Sequence, residues 1–311
     1  MIQDAENATS AGVDEKDLST FKDNLSEPRL RIRLDDQVNA DIRTALARMS
    51  GEQFSLNSVP ITGQDFVARL AAYEDAVRTL QAKATLLGKW ATAEQLLTLT
   101  SMVARISEYG TGSHSGSSLW LALRQYPLSL LLYSAGIASL AAENYRVFAA
   151  AHLKRIGAHS RRVGNTAVVV VVAVVDAMTE AANTNVWRHI EEYKQKRVPE
   201  SEYLFKTLRP VIDELLFLGA SYEHLFDRYE ILRSLIYADA TDGSWGPVGR
   251  FGWKYCRDDK DNPFAALCAE AAQQKNSWGP LQAGLFCGSH ARFNDVASRF
   301  EQELLKRLQW Y

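Results

Sequence analysis

The stretch TGQDFVARLAAYEDAVRTLQAKATLLG, residues 62–88, carries Phe66, Leu70, Tyr73, Val77, Leu80, Ala84 and Leu87 at alternating intervals of four and three. Residues so spaced share one face of an α-helix, so the pattern predicts a long amphipathic helix whose apolar stripe needs a partner. Thr62, with Asp65 three residues on, has the form of a capping pair and sets the start. A second stripe, Leu96, Leu99, Val103 and Ile106, follows a break over Gly88–Thr92 and predicts an antiparallel helical hairpin. The same spacing would serve a coiled-coil seam to another chain, but three heptads inside a globular sequence favour internal packing.

C-terminal to this hairpin, GTGSHSGSS at Gly110–Ser118 reads as a flexible Gly/Ser linker. An apolar helix is expected from Leu119 to about Leu153, restarted or kinked at Pro127, followed by helices near Asn165–Glu180, Asn185–Arg197 and Glu202–Leu218. Tyr222, Leu225, Tyr229, Leu232 and Ile236 mark another helix, and Phe293, Val296, Phe300, Leu304 and Leu308 a terminal one. Ser244-Trp245-Gly246-Pro247 recurs as Ser277-Trp278-Gly279-Pro280, and each copy reads as a helix entry with a tryptophan anchoring the loop before it.

N-terminal to the hairpin, residues 1–28 hold seven acids against two lysines and few large apolar residues, the composition of a solvated tail. Arg29-Leu30-Arg31-Ile32-Arg33-Leu34 alternates at period two, as in a short strand with three guanidinium groups on one face or in an extended solvated arm. The fold class is therefore all-α, a multi-helix bundle with a disordered acidic tail and this single short strand as the one admitted exception. The expected organisation is a tail over 1–28, an arm and helical hairpin over 29–110, a linker over 111–118 and a main helical domain over 119–311.

The 311 residues are 47% hydrophobic and 23% charged with a net charge of -2, which excludes a disordered, collagen-like or wholly nucleic-acid-coating chain. Cys256, Cys268 and Cys287 are odd in number and widely spaced, suggesting neither a disulfide framework nor a cysteine zinc site. The opening MIQDAENATS lacks a basic start and apolar core, and the apolar runs Pro127–Ala142 and Ala167–Val175 fall short of the roughly 20 residues of a spanning helix. A cytoplasmic protein without membrane contact is expected.

No phosphate-binding glycine loop, dinucleotide fingerprint, paired-histidine zinc motif or nucleophile elbow is present. GSWGPVGRFG at Gly243–Gly252 reads as a packed turn, with Arg250 a weaker anion candidate. Glu223, His224 and Asp227 share a turn but lack further metal donors, and the simpler reading pairs the acids with Arg228 or lysines on a solvated face. HLKRIGAHSRR, residues 152–162, is the strongest cationic cluster: Lys154, Arg155, His159, Arg161 and Arg162, together with Arg29, Arg31 and Arg33, are the anion- or partner-binding candidates. Paired Arg and His residues serve the HEPN ribonucleases, but three residues separate Arg155 from His159, where that motif has four to six. A nuclease site therefore ranks below a surface patch and an anion-binding patch.

Tyr126–Ala142 (YPLSLLLYSAGIASLAA) and Tyr222–Asp239 (YEHLFDRYEILRSLIYAD) resemble the helical C-terminal regions of bacterial multidomain effector and nucleic-acid-binding proteins, some associated with anti-phage defence. The resemblance runs through core positions over about 119–310 and carries no catalytic residue, so it implies that any effector activity belongs to a partner chain. The resulting expectation is a non-catalytic regulatory or interaction protein that binds another protein through helical surfaces, without cofactor or metal. Nucleic-acid contact through the basic patch and self-association stay open, and a nuclease-like hydrolase and a membrane-active effector are the alternatives.

Overall fold

The computed structural model describes residues 12–57, 61–111, 114–157, 167–257 and 262–308, and these are mostly helical. The helix predicted from residue 62 is α3, Gly63–Trp90, after α1 (Glu15–Ser26) and α2 (Arg31–Arg48). Its capping box is complete: the Asp65 amide donates to Thr62 Oγ1 at 3.1 Å and the Thr62 amide to the Asp65 carboxylate at 3.0 Å. α4 (Leu96–Thr111) follows and brings Tyr109 Oη within 3.3 Å of Tyr73 Oη of α3.

Beyond it lie α5 (Ser118–Leu123), α6 (Tyr126–Ala141) and α7 (Tyr145–His152), where a helix restarted or kinked at Pro127 was expected to run on to about Leu153. Pro127 starts a fresh helix, and Glu143, in the left-handed region at φ 51°, ends it. Every residue of α6 from Tyr126 to Leu140 is buried, so its all-round apolar sequence reflects a position at the centre of the molecule. Among the described residues no helix is long and apolar enough to cross a membrane. The expected two-helix hairpin is corrected: α3 packs chiefly on α6, and α4 on α2, α6 and α7. α3 crosses α6 closely at Gly88, where a Cβ would lie 2.4 Å from the Ala135 carbonyl oxygen. One hydrophobic cluster runs from Val13 to Leu305, so the core is continuous across residues 111–118.

The valine run begins as a strand: β1 (Arg155–Gly157) pairs antiparallel with β2 (Ala167–Val169), Ile156 opposite Val168, before α8 (Val170–Asn183) takes up the helical period. α9 (Pro199–Leu216) continues through Pro210 without a break, and α10 (Ser221–Ala240) carries α11 (Phe251–Cys256), α12 (Pro263–Gln274) and, beyond α13 (Gly279–Gln282), which packs on α7, α14 (His290–Glu303) on its flank. Of the two tryptophan repeats, the second enters α13, with buried Trp278 donating to Glu270 at 2.7 Å. The first does not enter a helix: it packs Gly246 against the Ser234 carbonyl, where a Cβ would come within 2.6 Å.

Three further expectations are corrected. Arg29–Leu34 is not a strand: Pro28–Leu30 forms a 3-10 turn and α2 follows, because Leu34 is the first of a helical stripe continued by Val38, Ile42 and Ala45. The acidic segment is not a solvated tail over its described part. Asp14 caps α1, and Leu18, Phe21 and Leu25 bury one side of it. The electrostatic reason is Lys83 of α3, fully buried, whose Nζ meets Asp17 at 2.7 Å and Asp41 of α2 at 2.6 Å. Two carboxylates around one buried ammonium tie three helices together. Finally, Asn185–Arg197 is not a helix: Asn185 adopts φ 57° and leads only into a 3-10 turn over Val186–His189.

Candidate functional site

α10 places Glu223, Asp227, Glu230 and Ser234 three or four residues apart on a face turned toward α9, α6 and the segment before α11. Glu230 is fully buried. Tyr133 of α6 donates to its Oε1 at 3.0 Å, while Ser201 Oγ of α9 and the Arg250 amide donate to Oε2 at 2.9 and 3.0 Å. A Cβ on Gly249 would lie 1.9 Å from Oε2, so only glycine lets the main chain approach this carboxylate. Burial pushes the Glu230 carboxyl up to about 7, against the opposing charge of Arg233 and the Ser201 and Tyr133 hydrogen bonds. The Arg233 guanidinium lies over the Tyr133 ring, 4.9 Å from its centroid.

Toward the start of α10, Lys254 Nζ bridges Asp227 and Glu223, the latter at 2.7 Å. Arg250 reaches Glu223 at 3.4 Å and Glu202 at 3.7 Å and stacks on Phe205 at 3.6 Å. Burial raises the Asp227 carboxyl, and the Lys254 hydrogen bond lowers that of Glu223. The expected solvated face is thus corrected: Asp227 is buried, and Arg228 turns away to Glu270, with Nη2 2.8 Å from Oε1. On the other side of Tyr133, buried His152 bonds the Phe148 carbonyl through Nδ1 at 2.8 Å and Tyr229 Oη through Nε2 at 3.2 Å. Burial pushes this imidazole down to about 4, leaving it neutral at pH 7.

A carboxyl titrating near neutrality is the kind of group that serves acid–base catalysis. Glu230, however, is enclosed, with three donors on its two oxygens, and serves to pin α6, α9, α10 and the turn before α11. Among the described residues no group of three or more His, Cys, Asp or Glu side chains is arranged to hold a metal ion.

The sequence candidates are scattered. Arg29, Arg31 and Arg33 are all exposed, but in the helix Arg31 and Arg33 point about 200° apart, so they do not form a one-sided strip. Arg155 is exposed in β1 and its guanidinium donates to the Ala167 carbonyl of its own hairpin; Lys154 is half-buried beside it. His159, Arg161 and Arg162 lie outside the described residues.

What the sequence did not single out is the apolar content of the arginine end. Among the described residues four large apolar side chains are exposed: Ile32 (71%), Trp90 (47%), Leu97 (70%) and Phe217 (88%). Ile32 and Leu97 share one end of the molecule, because Asp35 of α2 accepts from Thr98 of α4 and Gln95, before α4, donates to the Leu25 carbonyl at 2.7 Å, and Trp90 closes α3 immediately ahead of the turn Ala93–Gln95 that leads into α4. No family model, no curated protein and no solved structure matches the chain.

Proposed function

We propose that this protein is a non-catalytic helical binding protein that docks another protein on the end formed by the starts of α2 and α4. The observation that carries this reading is the gathering there of Ile32, Trp90 and Leu97, each substantially exposed, among Arg29, Arg31 and Arg33. Apolar anchors ringed by arginine are the composition of interface hot spots. Asp36 and Glu94 are also exposed at this end, so burial of the apolar groups, not net charge, supplies most of the affinity. The partner it fits offers an apolar pocket with carboxylates at its rim. On the resemblance of Tyr126–Ala142 and Tyr222–Asp239, that partner is the effector chain of a bacterial defence system.

The test is capture of partners from the source cell with the wild-type chain and with Ile32→Asp/Leu97→Asp. Loss of a stoichiometric partner, with the melting temperature unchanged, is the expected result. Identical capture by both chains, or a wild-type chain that light scattering shows to be a monomer and that retains no partner, contradicts the proposal.

A further inference from the structure

A cleft of about 690 Å³ opens between the end of α8 and the start of α9, walled by the segment 185–199. That volume lies in the range of small-molecule sites, roughly 300–1,000 Å³. Its lining includes Arg188, Lys194, Lys196 and Arg197 and, among the described residues, no carboxylate. Lys194 is held by Glu191 at 2.7 Å. Arg188, Lys196 and Arg197 are exposed and make no ion pair among the described residues.

The cations stand on an anchored frame. Trp187, buried beside Arg188, packs edge-on to Phe66 of α3 at 4.9 Å and to Tyr193 at 5.5 Å, and Tyr193 is itself buried. Gly63 admits the turn against α3: a Cβ there would lie 2.9 Å from the His189 carbonyl oxygen. Successive turns then fix the basic run, with the Lys194 amide bonded to the Ile190 carbonyl at 2.8 Å and that of Lys196 to the Tyr193 carbonyl at 3.0 Å. Because the aromatic faces are taken up by one another, the cleft offers charge and hydrogen-bond donors and little room for base stacking.

We infer that this cleft binds a small polyphosphate-bearing ligand, with Arg188, Lys196 and Arg197 on the phosphates. Guanidinium forks match phosphate oxygens two at a time, and an ammonium adds a point charge. A chain of two or three phosphates supplies the counter-charge that Arg188, Lys196 and Arg197 lack among the described residues. The inference is independent of the docking end, which lies on other elements.

Calorimetric titration of the full chain with inorganic tripolyphosphate, ATP, adenosine and a single-stranded RNA 12-mer tests it. Tripolyphosphate and ATP should bind saturably, more weakly as salt is raised, and adenosine should not bind. Comparable affinities for the two identify inorganic polyphosphate as the source of the ligand, and ATP at least tenfold tighter identifies a nucleotide. Arg188→Ser/Lys196→Ser/Arg197→Ser should weaken binding at least tenfold while leaving the melting temperature in place. Absence of saturable binding at millimolar tripolyphosphate and ATP, equal binding by the triple variant, or binding of the RNA alone would overturn the inference.

Discussion

α10 and the segment 185–197 are both rich in charge, and they use it in opposite ways. On α10 the acids and Arg228 are paired within the fold, and buried Arg233 lies over the Tyr133 ring: Glu223 and Asp227 share Lys254, Arg228 holds Glu270, Glu230 collects three donors, and Asp239 meets Arg292 at 2.6 Å. Along 185–197, Arg188, Lys196 and Arg197 face water with no counterion among the described residues. The difference separates structure from binding. An ionisable group taken out of water needs a partner supplied by the fold, whereas a charge left at the surface without one is free for a ligand.

The sharpest way to break the comparison is at Glu230. Glu230→Ala leaves the Tyr133 and Ser201 hydroxyls without this acceptor and the Arg250 amide with only Ser201 Oγ, and should cost about 3–5 kcal/mol in urea unfolding. Lys83→Ala is expected to cost about 2–4 kcal/mol, somewhat less because Asp17 and Asp41 keep partial access to water. Limited proteolysis should then cut first within α1, whose attachment depends on that ammonium.

Two pH windows sharpen it further. The Glu230 carboxyl is raised to about 7, so its contribution is fully present below the ordinary glutamate range and is lost as pH rises through about 7. His152 is lowered to about 4, so its contribution is present above pH 6.5 and is lost as pH falls toward 4. Each spans roughly 3 kcal/mol at one pKa unit per 1.36 kcal/mol, and between about pH 4.5 and 6.5 the two slopes oppose. Glu230→Gln should therefore abolish the loss of stability between pH 5 and 8 and steepen the loss on acidification, read as melting temperature against pH. An unchanged profile would mean that Glu230 is ionised and solvated. The smallest stability effect is expected at the surface: Arg188→Ser, Lys196→Ser and Arg197→Ser should each move stability by no more than about 0.5 kcal/mol.

The helical class was legible because α3, α4 and α10 write their buried faces as stripes of three and four. The failures have local causes. Six residues at Arg29–Leu34 show period two, and only extension to Val38, Ile42 and Ala45 reveals that Leu34 belongs to a helix while Ile32 is left outside it. In α1 the stripe Leu18, Phe21 and Leu25 was readable, but acid count outweighed it. What holds α1 down is Lys83, 66 residues beyond Asp17, and no local pattern announces that pairing. Glu230 hides within the apolar run of α10; the nearest signal was a glycine before Arg250, whose need for close approach appears only in three dimensions. The cleft was masked because Val186, Trp187, Ile190 and Tyr193 suggest a helix, and Asn185 breaks it. Of the candidate residues, Arg29, Arg31, Arg33 and Arg155 are exposed, and the sequence pattern did not single out Ile32 between the first three or Leu97 on neighbouring α4.

The claim that this chain acts by docking is tested most directly by hydrogen–deuterium exchange of the protein alone and with its captured partner. Protection concentrated at residues 28–36 and 89–98, and absent from α9 and α10, is the predicted result. Protection confined to other surfaces, with both of those segments exchanging as in the free protein, would contradict it.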